Sequence, residues 1–168
     1  MSPNEFSVEA MLCDFAEVSG NKLFISGAGI NLLATSRAEA PHPVNFALAL
    51  LVRIPWTATN QQHTLRVELM SDSADGGPKR VPINNILPPN VDESERGNVI
   101  ALFNAGRSPM MQVGEETLMP IALALPGLPL PDIGSYFLDI SIDGTQMDRV
   151  SFRITTVLNM PSVSAQVA

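Results

Sequence analysis

Imidazole, thiol and carboxylate are the groups through which this chain could act on a substrate, and it has few of the first two. His42 and His63 are its only histidines and Cys13 its only cysteine. The histidines are not at the i, i+2 or i, i+4 spacing of a local zinc site, so no metal is expected there. His42 sits between Pro41 and Pro43, whose stiff backbone suggests a surface position. His63 opens an apolar alternation and reads as a structural or solvent-exposed side chain. Cys13 lies among apolar neighbours, where a thiol behaves as a small hydrophobe. No basic residue adjoins it to lower its pKa, and a Cys13–His63 dyad requires the fold to bring the two together. Asp72, Asp75, Asp132, Asp143 and Asp148 fall in predicted loops, and calcium takes such oxygens as ligands. Their order has no EF-hand pattern, so solvated charge is the simpler reading. There is no Gly-x-Ser-x-Gly and no Gly-Lys-Ser/Thr. Gly27-Ala28-Gly29 begins a dinucleotide-like pattern, but Leu32 stands in place of the third glycine and no helical periodicity follows. The expectation is a non-enzymatic protein with no catalytic residue, cofactor or metal.

The elements that must position these residues are strands. The chain has 168 residues, enough for one domain with a sizeable core; that domain is expected over residues 1–156, with a tail over 157–168. Fourteen prolines and eleven glycines punctuate short apolar runs, and no helical pattern of useful length appears. Residues 6–15 and 22–30 read as a hairpin around Ser19-Gly20-Asn21, with Gly27 and Gly29 marking a bulge or close backbone approach. Residues 31–43 read as a connection too proline-rich for a strand. Residues 44–54 form a continuous apolar run, expected at the centre of a sheet and covered on both faces. One helical turn is expected over 55–62. Further strands are read at 64–70, 98–104 and 117–125, with a short edge strand at Val81, Ile83 and Ile86. Pro120 suits an edge or bulge. The run 126–131, PGLPLP, is expected to be a stiff connection; its Pro-x-x-Pro is also a candidate polyproline II element.

The last hairpin carries the clearest local signal, PDIGSYFLDISIDG at 131–144. Tyr136, Leu138, Ile140 and Ile142 share one face by the period of two. A turn over Asp143–Asp148 then leads to a strand with Val150, Phe152 and Ile154. Asp132, Gly134 and Tyr136 form Asp-x-Gly-x-Tyr, which resembles the tyrosine corner of immunoglobulin-like sandwiches, where the Tyr hydroxyl returns to upstream backbone. The fold expected is therefore all-β, a single immunoglobulin-like or Greek-key β-sandwich of about eight to nine strands with a short helical turn.

A broader resemblance runs through LCDFAEVSGNKLFISGAG, ALALLVRIPW, HTLRVELM and LPLPDIGSYFLDISIDG. Together these segments resemble an uncharacterised family of small bacterial proteins common in actinobacteria. The matching positions are Asp14, Lys22, Leu23, Pro55, Trp56, His63, Gly134, Tyr136 and Gly144. The resemblance implies a β-sandwich and no assigned activity. The chain departs from that pattern in its longer region over 79–116.

Composition bounds the partners. The net charge is −7, and Lys79-Arg80 is the only adjacent pair among ten basic residues, which argues against nucleic acid. The apolar run 44–55 is interrupted by Asn45 and Arg53 and falls short of the about 20 residues a spanning helix takes. With no basic, apolar leader at its start, the chain is expected to be cytoplasmic, and no membrane partner is expected. Charged residues make up only 16%, against roughly 25% in ordinary domains, so part of the surface is expected to be covered by another chain. The function expected is a structural or protein-interaction module that self-associates, as a homodimer first, or docks on a partner protein. Candidate contact residues are Met110, Met111, Leu118, Met119, Ile121, Met160 and Val163, with Met110, Met111 and Met119 reading equally as core. The alternative is a module holding a sugar or calcium in loops at one sandwich end, favoured by Trp56 and a few loop carboxylates.

Overall fold

The computed structural model describes residues 5–72, 76–83 and 89–157. Among them are eleven strands: β1 (Ser7–Cys13), β2 (Phe15–Ser19), β3 (Lys22–Ser26), β4 (Leu32–Thr35), β5 (His42–Ile54), β6 (Gln62–Asp72), β7 (Lys79–Val81), β8 (Val99–Asn104), β9 (Thr117–Leu130), β10 (Gly134–Ile142) and β11 (Thr145–Thr156). The described residues form no α-helix, only single 3₁₀ turns at Trp56–Ala58 and Glu93–Glu95. The all-β expectation holds, as eleven strands in three sheets with a curled half-barrel.

β5 organises the molecule. Its thirteen residues pair antiparallel with β1 on one side and β9 on the other. Phe46, Leu48, Leu50, Val52 and Ile54 alternate onto one face, where they meet Leu65, Val67 and Leu69 of β6, Leu138, Ile140 and Ile142 of β10, and Ile154 of β11 in the main core. Ala47 and Ala49 point the other way and are also buried, against Cys13 and Ala16. The continuous apolar run thus has the two covered faces expected of it: the six-stranded sheet below and the β2–β3 hairpin above. Each fully buried Leu or Ile contributes about 1.5–3 kcal/mol, so the main core dominates stability.

The six-stranded sheet runs β4-β11-β10-β6, with β8 and β7 pairing successive lengths of the same edge of β6. One side of the half-barrel is laced shut, because the Asp148 carboxylate on β11 accepts the Ala10 N–H of β1 at 3.0 Å. On the other side β9 is an edge strand, as Pro120 suggests. Pro126 and Pro129 also lie in it, so three of its residues have no N–H to offer a further strand.

Several boundaries differ from the sequence reading, each for a physical reason. The first hairpin is not 6–15 with 22–30: the chain bends at Asp14, β1 stays in the β5 sheet, and β2 and β3 pair with each other. Residues 31–43 are not merely a connection, since β4 pairs parallel with β11 and β5 begins at His42. PGLPLP is not a separate stiff linker. Pairing of Pro129 with Pro43 and Leu130 with His42 carries it as strand, and Asn45 accepts the Gly127 N–H at 2.8 Å where the register shifts. The last turn is the tight two-residue Asp143–Gly144, both residues at positive φ (49° and 80°), because a bulge after Ile140 absorbs the extra residue. Ile86 and the tail positions Met160 and Val163 lie outside the described residues.

Candidate functional site

The β2–β3 hairpin lies across the outer face of the β5 sheet. Small residues make this close approach feasible: Ala16 packs on Ala47 and Ala49, with Leu23 beside them. At its base the Asp14 N–H reaches the carbonyls of Ser26 and Gly27, at 3.1 and 3.3 Å. Gly27 has φ +66°, and a Cβ there would lie 2.0 Å from the Asp14 carboxylate, so the bend depends on glycine. By the two-residue period, Phe15, Glu17 and Ser19 face outward with Lys22, Phe24 and Ser26. Phe15 is 54% exposed and Phe24 49%. Exposed Met11, Val18 and Ile25 lie on the same strands or on β1. Glu17 and Lys22 have no ion-pair partner among the described residues, whereas Arg53, Arg66, Arg80, Arg96 and Arg149 all pair with carboxylates.

Sequence reading missed this face because it placed Phe15 at the end of one long strand. The available signal was Asp14, a carboxylate interrupting an otherwise apolar run. Of the residues it proposed instead, those among the described residues do not all face the same way. Met110 is 91% exposed on the loop before β9, and Leu118 is half-exposed on β9. Met119 and Ile121 turn inward and pack on the main core. Met111 is partly covered and its sulfur accepts the Thr117 hydroxyl at 3.5 Å.

One end of the half-barrel gathers the polar side chains. Trp56, the sole tryptophan, opens the 3₁₀ turn after β5. The Arg107 guanidinium stacks 3.8 Å from its ring centre and donates to the Trp56 carbonyl and the Thr59 hydroxyl, both at 2.9 Å. One face of the Trp56 ring, which a sugar could otherwise stack on, is therefore occupied by a cation. Losing this stack and its hydrogen bonds in Arg107→Ala is expected to cost about 1 kcal/mol and to shift Trp56 fluorescence emission to the red; an unmoved spectrum would mean that Arg107 does not shield the ring in solution.

Beside it, His63 is a buried, structural side chain and not a solvent-exposed one. Its Nδ1 lies 2.7 Å from Asp143 Oδ2 and its Nε2 lies 2.8 Å from the Ala58 carbonyl. Phe6 meets the ring edge-on at 4.8 Å and Phe103 lies at 5.4 Å. Asp143 also accepts the Thr64 N–H at 2.9 Å. Burial alone would lower the His63 pKa, but the Asp143 hydrogen bond, the Ala58 carbonyl and the Asp143 charge outweigh it and hold the pKa above its usual value. Burial likewise opposes ionisation of Asp143, and its bonds to His63 and Thr64 overcome that, leaving its pKa lowered.

At the opposite end of β10, Asp132, Gly134 and Tyr136 come together. The Tyr136 hydroxyl donates to the Asp132 carbonyl at 2.7 Å and accepts the Asp132 N–H at 3.1 Å, and its ring stacks on Phe152. Burial raises the phenol's pKa. Gly134 stands between them at φ +146°.

The remaining candidates are dispersed. His42 is buried, not on the surface, and its Nδ1 lies 3.1 Å from the Arg37 carbonyl. Cys13 is fully buried with its sulfur donating to the Ala47 carbonyl at 3.5 Å, and burial followed by the nearby Asp14 charge raises its pKa. It packs under the hairpin, while His63 packs among Phe6 and Phe103. Asp72 and Asp132 border one cleft, whereas Asp143 holds His63 and Asp148 holds Ala10, so these carboxylates do not share one site; Asp75 lies outside the described residues.

A family model matches residues 9–155, from β1 through β11. The chain belongs to DUF6941, a family of unknown function. Searches of curated proteins and of solved structures find no match. The stretch matched to DUF6941 takes in the hairpin, the His63 end and the Tyr136 corner alike, and so covers nearly the whole described fold.

Proposed function

We propose that this DUF6941 chain is a non-enzymatic, cytoplasmic protein-interaction module that self-associates through the outer face of its β2–β3 hairpin. The observation that carries the reading is the pair of half-exposed phenylalanines, Phe15 and Phe24, on one outward face. Exposed apolar patches of this kind mark association surfaces. The occupant we favour is a second copy. Elsewhere a net charge of −7 repels like chains, but this face carries one acid and one base, Glu17 and Lys22, both exposed. A two-fold arrangement lets each Glu17 meet the other copy's Lys22 while the phenylalanines pack between them. Addition of a strand at β9 is less suited, because Pro120, Pro126 and Pro129 interrupt its donors. The finer reading of the fold as an immunoglobulin-like sandwich belongs here too; its support is the Tyr136 hydroxyl returning to Asp132 backbone.

Light scattering across a dilution series tests the association. A dimer mass at micromolar concentration is expected, and Phe15→Ser with Phe24→Ser is expected to weaken it at least about tenfold, the equivalent of 1.4 kcal/mol. Glu17→Lys alone should weaken it and Glu17→Lys with Lys22→Glu should restore it. A monomer at every concentration rejects self-association; a dimer indifferent to all four substitutions moves it to another face.

A further inference from the structure

His63 sits where no single neutral imidazole satisfies its surroundings. A neutral ring carries one N–H and one lone pair. Both nitrogens here face acceptors, the Asp143 carboxylate at 2.7 Å and the Ala58 carbonyl at 2.8 Å. Only the imidazolium can donate to both. Its neighbours on every side are accounted for. The β10–β11 turn presents the Asp143 carboxylate, the Trp56–Ala58 turn presents a carbonyl, and β8 and the segment before β1 present the rings of Phe103 and Phe6. Glu5, next to Phe6, is exposed and makes no ion pair among the described residues. Arg107 is held by Trp56 and Thr59. Asp143 is thus the one ionised partner of the ring.

We propose that His63 and Asp143 form a proton-dependent latch that clips the Trp56–Ala58 turn to the β10–β11 turn and releases it as the pH rises. Loss of one ring proton leaves a nitrogen lone pair facing an acceptor oxygen within 2.8 Å. One of the two turns must then give way or admit water beside the rings of Phe6 and Phe103. The direction follows from the two titrations. A histidine with a raised folded pKa contributes stability that is fully present below its ordinary value of 6.5 and is lost as pH rises through the folded value. Asp143, with a lowered pKa, contributes stability present above 3.8 and lost as pH falls through its own folded value. The latch is therefore closed between about 3.8 and 6.5 and opens on the alkaline side.

The chain has two histidines and one tryptophan, which makes the test direct. Ring chemical shifts followed by NMR should show His63 titrating above 6.5, and Trp56 emission should step at the same pH. In Asp143→Asn the His63 titration should fall toward or below 6.5, and in His63→Gln the Trp56 step should vanish. A wild-type His63 that titrates at or below 6.5 overturns the latch without recourse to any variant. So does a Trp56 step that survives in His63→Gln.

Discussion

Tyr136→Phe is expected to lower the stability of the folded chain by about 1–3 kcal/mol, read as a fall in Tm of about 2–12 °C for a domain of this size. One oxygen atom is removed, yet two backbone groups lose their partner. The hydroxyl donates to the Asp132 carbonyl and accepts the Asp132 N–H, so a single residue is held at both its polar groups. The phenyl ring itself stays, stacked on Phe152 at 5.7 Å, and the apolar burial is unchanged. The loss is therefore a hydrogen-bonding loss at a part-buried site, larger than that of an exposed pair. The turn cannot readily relax to compensate, because Gly134 at φ +146° holds the chain in a conformation that few residues adopt. Coincident denaturant midpoints for the two proteins would show that the corner contributes nothing.

That corner was legible in the sequence because its parts lie within five residues and its chemistry is local. The same holds for the all-β class and for β5, whose unbroken apolar run requires cover on both faces. What was not legible is what depends on contact between distant segments. His63 gives no local sign that Asp143 and the Ala58 carbonyl will close on it; its partner is 80 positions away in sequence. Nothing around His42 shows that its ring will reach the Arg37 carbonyl or that its backbone will pair with Leu130 of β9. Met119 and Ile121 stood as contact candidates because they flank Pro120 on an uncharged edge, but an edge strand still has one face on the core. Asp14 was the one readable clue that the first hairpin leaves its sheet, and its meaning depends on Gly27, thirteen residues on, leaving room for its carboxylate.

Neighbouring residues of β5 should respond in opposite ways to a change of size. Leu48 is fully buried on the main-core face, opposite Leu12 on β1 and Leu123 on β9. Leu48→Ala removes three carbons from a closed space and is expected to cost about 2–5 kcal/mol, the transfer loss plus the cavity left behind. Ala49 is buried on the other face, where Ala16, Ala47 and Cys13 leave little room beneath the hairpin. Ala49→Leu adds the same carbons where there is no space, at about 1–3 kcal/mol, and the element that yields is the two-stranded hairpin, since β5 is fixed by strands on both sides. Denaturant midpoints give the two costs, and the Cys13 thiol reports which layer moved. It is 0% exposed, so it reacts only when the hairpin lifts or the whole chain unfolds. Labelling measured well below the midpoint should accelerate in Ala49→Leu beyond what its lost stability allows, while in Leu48→Ala it should track global stability alone. Equal behaviour of Cys13 in the two variants would mean that the hairpin is not a separate layer over β5, and the outward face of Phe15 and Phe24 would lose its structural basis.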